Sequence, residues 1–127
     1  PMQFIVSASL IVVAIIHLLP VSGVLGSERL AALYGLSFSE PNLAILMRHR
    51  AVLFALLGLF LIVAAFNPSL QTLAFIAGFV SVISFLGLAW SVGGYNAQLH
   101  RVFVADIVAL LSLVIGLAAH VYLHTRS

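Results

Sequence analysis

Four long apolar segments constrain the fold of this chain more than any other feature. They cover residues 4–24, 43–66, 70–92 and 102–123. Each is close to the roughly 20 residues that a helix needs to cross a hydrocarbon core about 30 Å thick. The sequence therefore predicts an all-α integral membrane protein. We expect an up-down four-helix bundle that forms one transmembrane domain over residues 1–127.

The composition supports a lipid-facing exterior. Hydrophobic residues make up 64% of the chain and charged residues 6%, whereas an ordinary soluble domain carries about 25% charged residues. The chain has no cysteine, which excludes disulfides, thiolate nucleophiles and cysteine-based metal sites. A net charge of +2 without a basic stripe gives no indication of nucleic-acid binding.

The longest connection, between the first and second segments, contains signals for one more helix. Residues 28–34 form a short amphipathic stretch, and Gly35 is a natural stop. Ser27 is predicted to cap this helix, and Ser39 to cap the second long helix. Because Leu30 and its apolar neighbours share one side, we expect the short helix to lie in the membrane interface.

The arginines are distributed unevenly between the two sides of a four-span protein. The first and third loops, with the helix ends beside them, carry Arg29, Arg48, Arg50 and Arg101, and the opposite side carries Arg126. The positive-inside rule therefore places the first and third loops in the cytoplasm and both termini outside.

Polar residues of different spans are predicted to meet in the cytoplasmic leaflet. Asp106 is the one acidic residue inside a span, roughly 10 Å from its cytoplasmic end. A carboxylate in mid-membrane costs about 2.5–3.5 kcal/mol, so it needs a partner or a proton. His17 lies at a similar depth, and His49 and Arg50 enter the second span at nearly the same level.

The consecutive residues Arg48, His49 and Arg50 fan across roughly 200° of a helix, so at least one of them turns into the bundle. We predict a polar cluster in this leaflet, and Trp90 and Tyr95 are expected to close it. The candidate residues are His17, Arg48, His49, Arg50, Trp90, Tyr95, Asn96, His100, Arg101 and Asp106.

Each element of the cluster also has a structural interpretation. Arg48 is typical of an arginine that extends to lipid phosphate, and Trp90 and Tyr95 are typical of the aromatic belt at a membrane surface. A pair of Asp106 with His49 or Arg50 would be either a structural ion pair or part of a functional site.

We predict no metal and no cofactor. His120 and His124 stand four residues apart at the end of the last span, but no third ligand is evident nearby. Haem held by His17 with His49 or His100 is disfavoured, because these histidines lie close to one edge of the bundle.

Several stretches carry a resemblance to a known family: "IHLLPVSGVLG", "LYGL", "MRHRAVLF" and "GGYNAQLHRVFVADIVALL". Over essentially its whole length the chain resembles a family of small four-span bacterial membrane proteins, whose members often carry the label phosphopantetheine adenylyltransferase. The chain has no HxGH-type motif or nucleotide-binding α/β domain to match that label. The resemblance implies the four-helix fold and a bacterial inner membrane, and no activity. The architecture is also similar to that of the DoxX group.

Three functions are compatible with the sequence. The cluster would bind an amphipathic small molecule or lipid headgroup, with or without catalysis, or it would lock the helices of an accessory or scaffold subunit. Proton or ion transport is less favoured, because no polar residue of the second or third span continues the path to the far leaflet. We expect membrane lipids as partners, and a homo-oligomer or a larger membrane complex is compatible with the sequence.

Overall fold

The computed structural model describes residues 1–126, with the side chains of residues 1–125, and this part of the chain is helical without strands. The α-helices are α1 (Met2–Leu18), α2 (Ser27–Tyr34), α3 (Pro41–Ala65), α4 (Gln71–Val92) and α5 (Ala97–Arg126). Two 3₁₀ segments, Leu19–Leu25 and Pro68–Leu70, extend α1 and precede α4.

Four helical stretches are long and apolar enough to cross a membrane: Met2–Leu25, Pro41–Ala65, Pro68–Val92 and Ala97–Thr125. This confirms the predicted all-α, four-span fold, and the chain is a multi-pass membrane protein. The first span differs from a uniform helix, because it changes to 3₁₀ geometry at Leu19. Pro20 lacks a backbone N–H and cannot continue the α-helical hydrogen-bond ladder.

The predicted caps of two helices were wrong. Ser27 is the first residue of α2 after Gly26, and its hydroxyl donates instead to the carbonyl of Phe38 at 2.7 Å. Glu40 caps α3 in place of Ser39, since its carboxylate accepts hydrogen bonds from two backbone N–H groups in the first turn. A carboxylate at this position also interacts favourably with the positive end of the helix dipole.

Helix α1 is central to the bundle and packs extensively against both α3 and α5. Small residues let the helices approach closely: a Cβ at Gly58 would meet Leu18 of α1, and one at Gly78 would meet Leu113 of α5. Close approach matters because van der Waals packing, and not water exclusion, drives helix association in lipid.

Helix α4 packs mainly against α5 and only lightly against α3. Its buried residues end at Val82, so the last ten positions of the helix are half-buried or exposed. The predicted position of α2, residues 28–34, agrees with the structure. The side chains of Leu30 and Tyr34 are buried with Phe38 in a second small core, so the apolar side of α2 faces the bundle.

Candidate functional site

A cavity of about 530 Å³ lies where α4 separates from α3. All five α-helices contribute to its wall, and each supplies at least one ionisable or hydroxyl side chain. Polar side chains of the wall include His17, Tyr34, Arg50, Ser81, Arg101 and Asp106. Most of the remaining wall is apolar and includes Ile16, Phe54, Phe85 and Leu88.

Arg50 is the one member of the Arg48–His49–Arg50 run that lines the cavity. Its Nη1 donates a hydrogen bond of 2.5 Å to the hydroxyl of Tyr34. The guanidinium also lies over the ring of Phe54, 4.2 Å from the ring centroid, which adds a cation–π attraction. Arg48 and His49 are exposed, and Arg48 donates to the Val24 carbonyl at 2.8 Å.

His17 is buried, and hydrogen bonds hold both nitrogens of its ring. Nδ1 lies 2.9 Å from the Val13 carbonyl, and Nε2 lies 2.7 Å from the Ser81 hydroxyl. Because a carbonyl can only accept, Nδ1 carries a proton, and in the neutral ring Nε2 therefore accepts from Ser81. The ring also contacts Phe54 edge-on, with centroids 5.5 Å apart. Phe54 thus joins the surroundings of His17 and Arg50.

Asp106 is buried on α5 and lines the same cavity. Arg50 is the charged group that acts on its carboxylate electrostatically. Among the residues that the structure describes, no side chain donates a hydrogen bond to this carboxylate, and none forms a direct ion pair with it. The cavity therefore holds a guanidinium and a carboxylate that influence one another without contact.

No family model, curated protein or solved structure matches this chain.

The structure brings four of the ten predicted residues to the cavity: His17, Arg50, Arg101 and Asp106. Trp90 does not line it, because its side chain is 82% exposed on the outer side of α4.

The remaining predicted residues lie at the ends of the helices around the cavity. Tyr95 stacks on His100 and Phe103 and so packs against α5, away from the cavity wall. Asn96 has a structural role: its amide donates to the Tyr34 carbonyl at 2.7 Å, and its side-chain oxygen accepts from Leu99 N at 2.8 Å. Asn96 therefore caps the start of α5 and connects it to the end of α2.

Sequence reasoning missed Tyr34, Phe54 and Ser81 as residues of the cavity. For Ser81 a signal existed, because a hydroxyl eleven residues before the end of α4 at Val92 lies about 16 Å inside the helix. That depth is compatible with a hydrogen bond to His17. For the two aromatic residues the apolar pattern gives no signal that separates cavity wall from core.

The opposite end of the bundle has a smaller polar group. His120 Nε2 bonds to the Thr72 hydroxyl at 2.9 Å, and the His120 ring lies 4.2 Å from the ring of His124 between centroids. Within residues 1–125, no three histidine or acidic side chains gather in an arrangement that could hold a metal ion. The cavity is therefore the strongest candidate site.

Proposed function

We propose that the cavity binds the polar headgroup of an amphipathic molecule that partitions into the membrane. The observation that carries this proposal is the relation between Arg50 and Asp106, which line one apolar cavity without a direct ion pair. Ionisable groups within spans are costly unless they find partners, and they mark substrate and ligand sites by default. A headgroup with complementary charges or hydrogen bonds would supply those partners.

The wall of the cavity suits such a ligand. Ligand pockets are mostly apolar, with a few polar groups that fix orientation, and range over about 300–1,000 Å³. Here the apolar side chains of Phe54, Phe85 and Leu88 accompany the polar cluster. This combination favours a molecule with one polar end and one apolar end.

A second candidate function is that of a scaffold subunit, in which the same residues hold the helices together. Two hydrogen bonds favour it: Arg50 donates to the Tyr34 hydroxyl, and Asn96 donates to the Tyr34 carbonyl. Both tie α2 to the long helices. Under this alternative, the charges of Arg50 and Asp106 stabilise the bundle and need no ligand.

The test compares Asp106→Asn and Arg50→Gln with the matched control Arg48→Gln, which removes an arginine of the same helix that does not line the cavity. Each protein is purified in mild detergent, its retained small molecules are identified by mass spectrometry, and its thermal unfolding is followed. We expect D106N and R50Q to lose a molecule that the native protein and R48Q retain.

The stability of D106N separates the two functions. Breaking a buried ion pair costs about 3–5 kcal/mol, but the Asp106 carboxylate forms no direct pair within the described chain. With the retained molecule removed from both proteins, we therefore expect D106N to keep or raise the Tm relative to the native protein, because a bound ligand would itself raise the native Tm. A marked fall in Tm, with no retained molecule in any variant, would favour the scaffold and contradict the binding proposal.

We further propose that the protein resides in the cytoplasmic membrane of a bacterium, with the cavity in the cytoplasmic leaflet. The positive-inside rule supports this orientation, because Arg29, Arg48, Arg50 and Arg101 lie toward one side and Arg126 toward the other. In this arrangement both termini lie outside.

Single cysteines test the orientation without interference, because the chain has none of its own. Ser37 and Asn67 are both exposed and lie in connections at opposite ends of the bundle. In intact cells, a membrane-impermeant maleimide should label a cysteine at position 67 and leave one at position 37 unlabelled. The reverse pattern would contradict the proposed orientation.

A further inference from the structure

The charged side chains of the cavity are unequal in number. Arg50 and Arg101 contribute two guanidinium groups, and Asp106 is the one acidic residue among the described residues of the wall. Guanidinium groups bind carboxylates and phosphates through paired hydrogen bonds. The balance of charge therefore favours an anion in the headgroup.

The Asp106 carboxylate adds a second requirement. An ionised carboxylate can only accept hydrogen bonds, and no described side chain donates one to it. Nη1 of Arg50 already donates a hydrogen bond to the Tyr34 hydroxyl. A ligand that carries a hydroxyl, an amide N–H or an ammonium group would supply a donor for Asp106.

The size of the cavity suits a ligand with one chain. Its volume of about 530 Å³ lies within the roughly 300–1,000 Å³ of pockets that bury most of a drug-sized ligand. That is enough for one polar headgroup and the beginning of one hydrocarbon chain. A two-chain lipid would place most of its volume elsewhere.

The wall also indicates where the chain leaves. Five residues of the wall are exposed and therefore stand at the mouth of the cavity: Leu19, Ala32, Ser84, Leu88 and Arg101. Ser84 lies eight residues before the end of α4 at Val92, about 12 Å inside the helix. The contact of Gly78 with Leu113 places α5 along another flank of α4. On the α4 side the mouth therefore reaches hydrocarbon depth, and α4 packs only lightly against α3.

We infer that the cavity binds a single-chain amphiphile whose headgroup combines an anion with a hydrogen-bond donor, and that its chain leaves between α3 and α4. This inference rests on the proposed function and names the class of its ligand. The anion contacts Arg50 and Arg101, and the donor contacts Asp106. Phosphate and carboxylate headgroups share the required chemistry.

A panel of five oleoyl compounds tests the two requirements separately. Monooleoyl glycerol phosphate and N-oleoyl glycine carry an anion and a donor, oleate carries the anion alone, monooleoyl glycerol carries donors alone, and methyl oleate carries neither. Dissociation constants are measured by native mass spectrometry of the protein in a non-ionic detergent. We expect the first two compounds to bind about tenfold or more tightly than oleate or monooleoyl glycerol, and methyl oleate to bind least. The relative affinities of the first two show whether phosphate or carboxylate is preferred.

Two variants assign each requirement to its residue. Arg50→Gln should reduce the affinity for monooleoyl glycerol phosphate toward that for monooleoyl glycerol, because Arg101 then remains as the one guanidinium of the wall. Asp106→Asn should reduce the affinity for monooleoyl glycerol phosphate to that for oleate, and it should leave the affinity for oleate unchanged. Arg48→Gln should alter none of the five values.

The panel on the native protein decides the inference even if a variant fails to fold. Equal affinities of the native protein for the five compounds would overturn the inferred ligand class. If Arg50→Gln nevertheless weakened the binding of these compounds, the proposed function would still stand. Absence of binding for all five compounds, together with no molecule retained on purification, would overturn both.

Discussion

The side chains of Arg50 on α3 and Tyr34 on α2 form a hydrogen bond of 2.5 Å from guanidinium to hydroxyl. The same guanidinium lies 5.5 Å from the centroid of the Tyr34 ring. This contact turns the arginine toward the cavity, whereas Arg48 and His49 point outward. The short helix α2 thereby positions the cation that the proposed ligand site uses.

Tyr34→Phe should destabilise the protein, because it removes the acceptor of a charge-assisted hydrogen bond and keeps the ring. We expect the free energy of unfolding to fall by about 1.5–3 kcal/mol, as measured by equilibrium denaturation in mixed micelles. Tyr95→Phe is the matched control, since the ring of Tyr95 packs on Phe103 and none of the described residues hydrogen-bonds to its hydroxyl. Equal losses for the two variants would contradict the role assigned to Tyr34.

Ser84→Trp should obstruct the mouth of the cavity. Ser84 lines the cavity from an exposed position, so an indole there would compete with the chain of a bound amphiphile. We expect the dissociation constant for monooleoyl glycerol phosphate to rise about tenfold or more, measured by native mass spectrometry. Gly87→Trp on the same helix is the control, because a Cβ at Gly87 meets nothing within 4 Å. Unchanged binding in S84W would argue against access between α3 and α4.

Gly58→Ala should weaken the packing of α1 against α3. A Cβ at Gly58 would lie 2.6 Å from Leu18 Cδ2 and 3.3 Å from the Ala14 carbonyl oxygen, so either the Leu18 side chain must change rotamer or the two helices must move apart. Overpacking of this kind costs about 1–3 kcal/mol. Gly87→Ala provides the comparison, because it fills open space and improves helix propensity. Thermal unfolding in detergent should show a lower Tm for G58A and an equal or higher Tm for G87A, and the opposite order would refute the close contact.

The cap of α3 predicts a dependence of stability on pH. Hydrogen bonds from Leu43 N and Asn42 N hold the pKa of Glu40 below its ordinary value of 4.5. Since the folded-state pKa is depressed, the contribution of this carboxylate is present above pH 4.5 and is lost as pH falls through the folded-state value. Native protein should therefore lose Tm on acidification in this range, and Glu40→Gln should lose less. Parallel pH profiles of the two proteins would show that the cap does not contribute.

The spans were predictable because each depends on composition averaged over many residues, which no single contact can overturn. The caps were not, because several good capping residues compete within one loop. Ser27 and Ser39 both suit a cap by residue type. The folded loop instead brings the Phe38 carbonyl to the Ser27 hydroxyl, a contact that local sequence preferences do not contain.

The candidate site likewise divides into features that the sequence predicts and features that depend on tertiary packing. Counting residues from the helix ends placed His17, Arg50 and Asp106 at one depth, and the structure finds all three on one cavity. Depth does not give the rotation of a helix about its axis, which tertiary packing sets. For that reason Trp90, although predicted at the depth of the cluster, lies on the outer side of α4. Phe54 of α3 lines the cavity instead.

Photo-crosslinking tests the central claim, that an amphiphile occupies this cavity, most directly. The probe is a monooleoyl glycerol phosphate analogue with a diazirine near the carboxyl end of its chain, and the labelled residues are mapped by peptide mass spectrometry. The account predicts labelling concentrated on wall residues such as Phe54, Phe85 and Leu88, and its suppression by excess unlabelled compound. Labelling spread over lipid-facing residues such as Val80 and Leu111, and insensitive to the competitor, would contradict it.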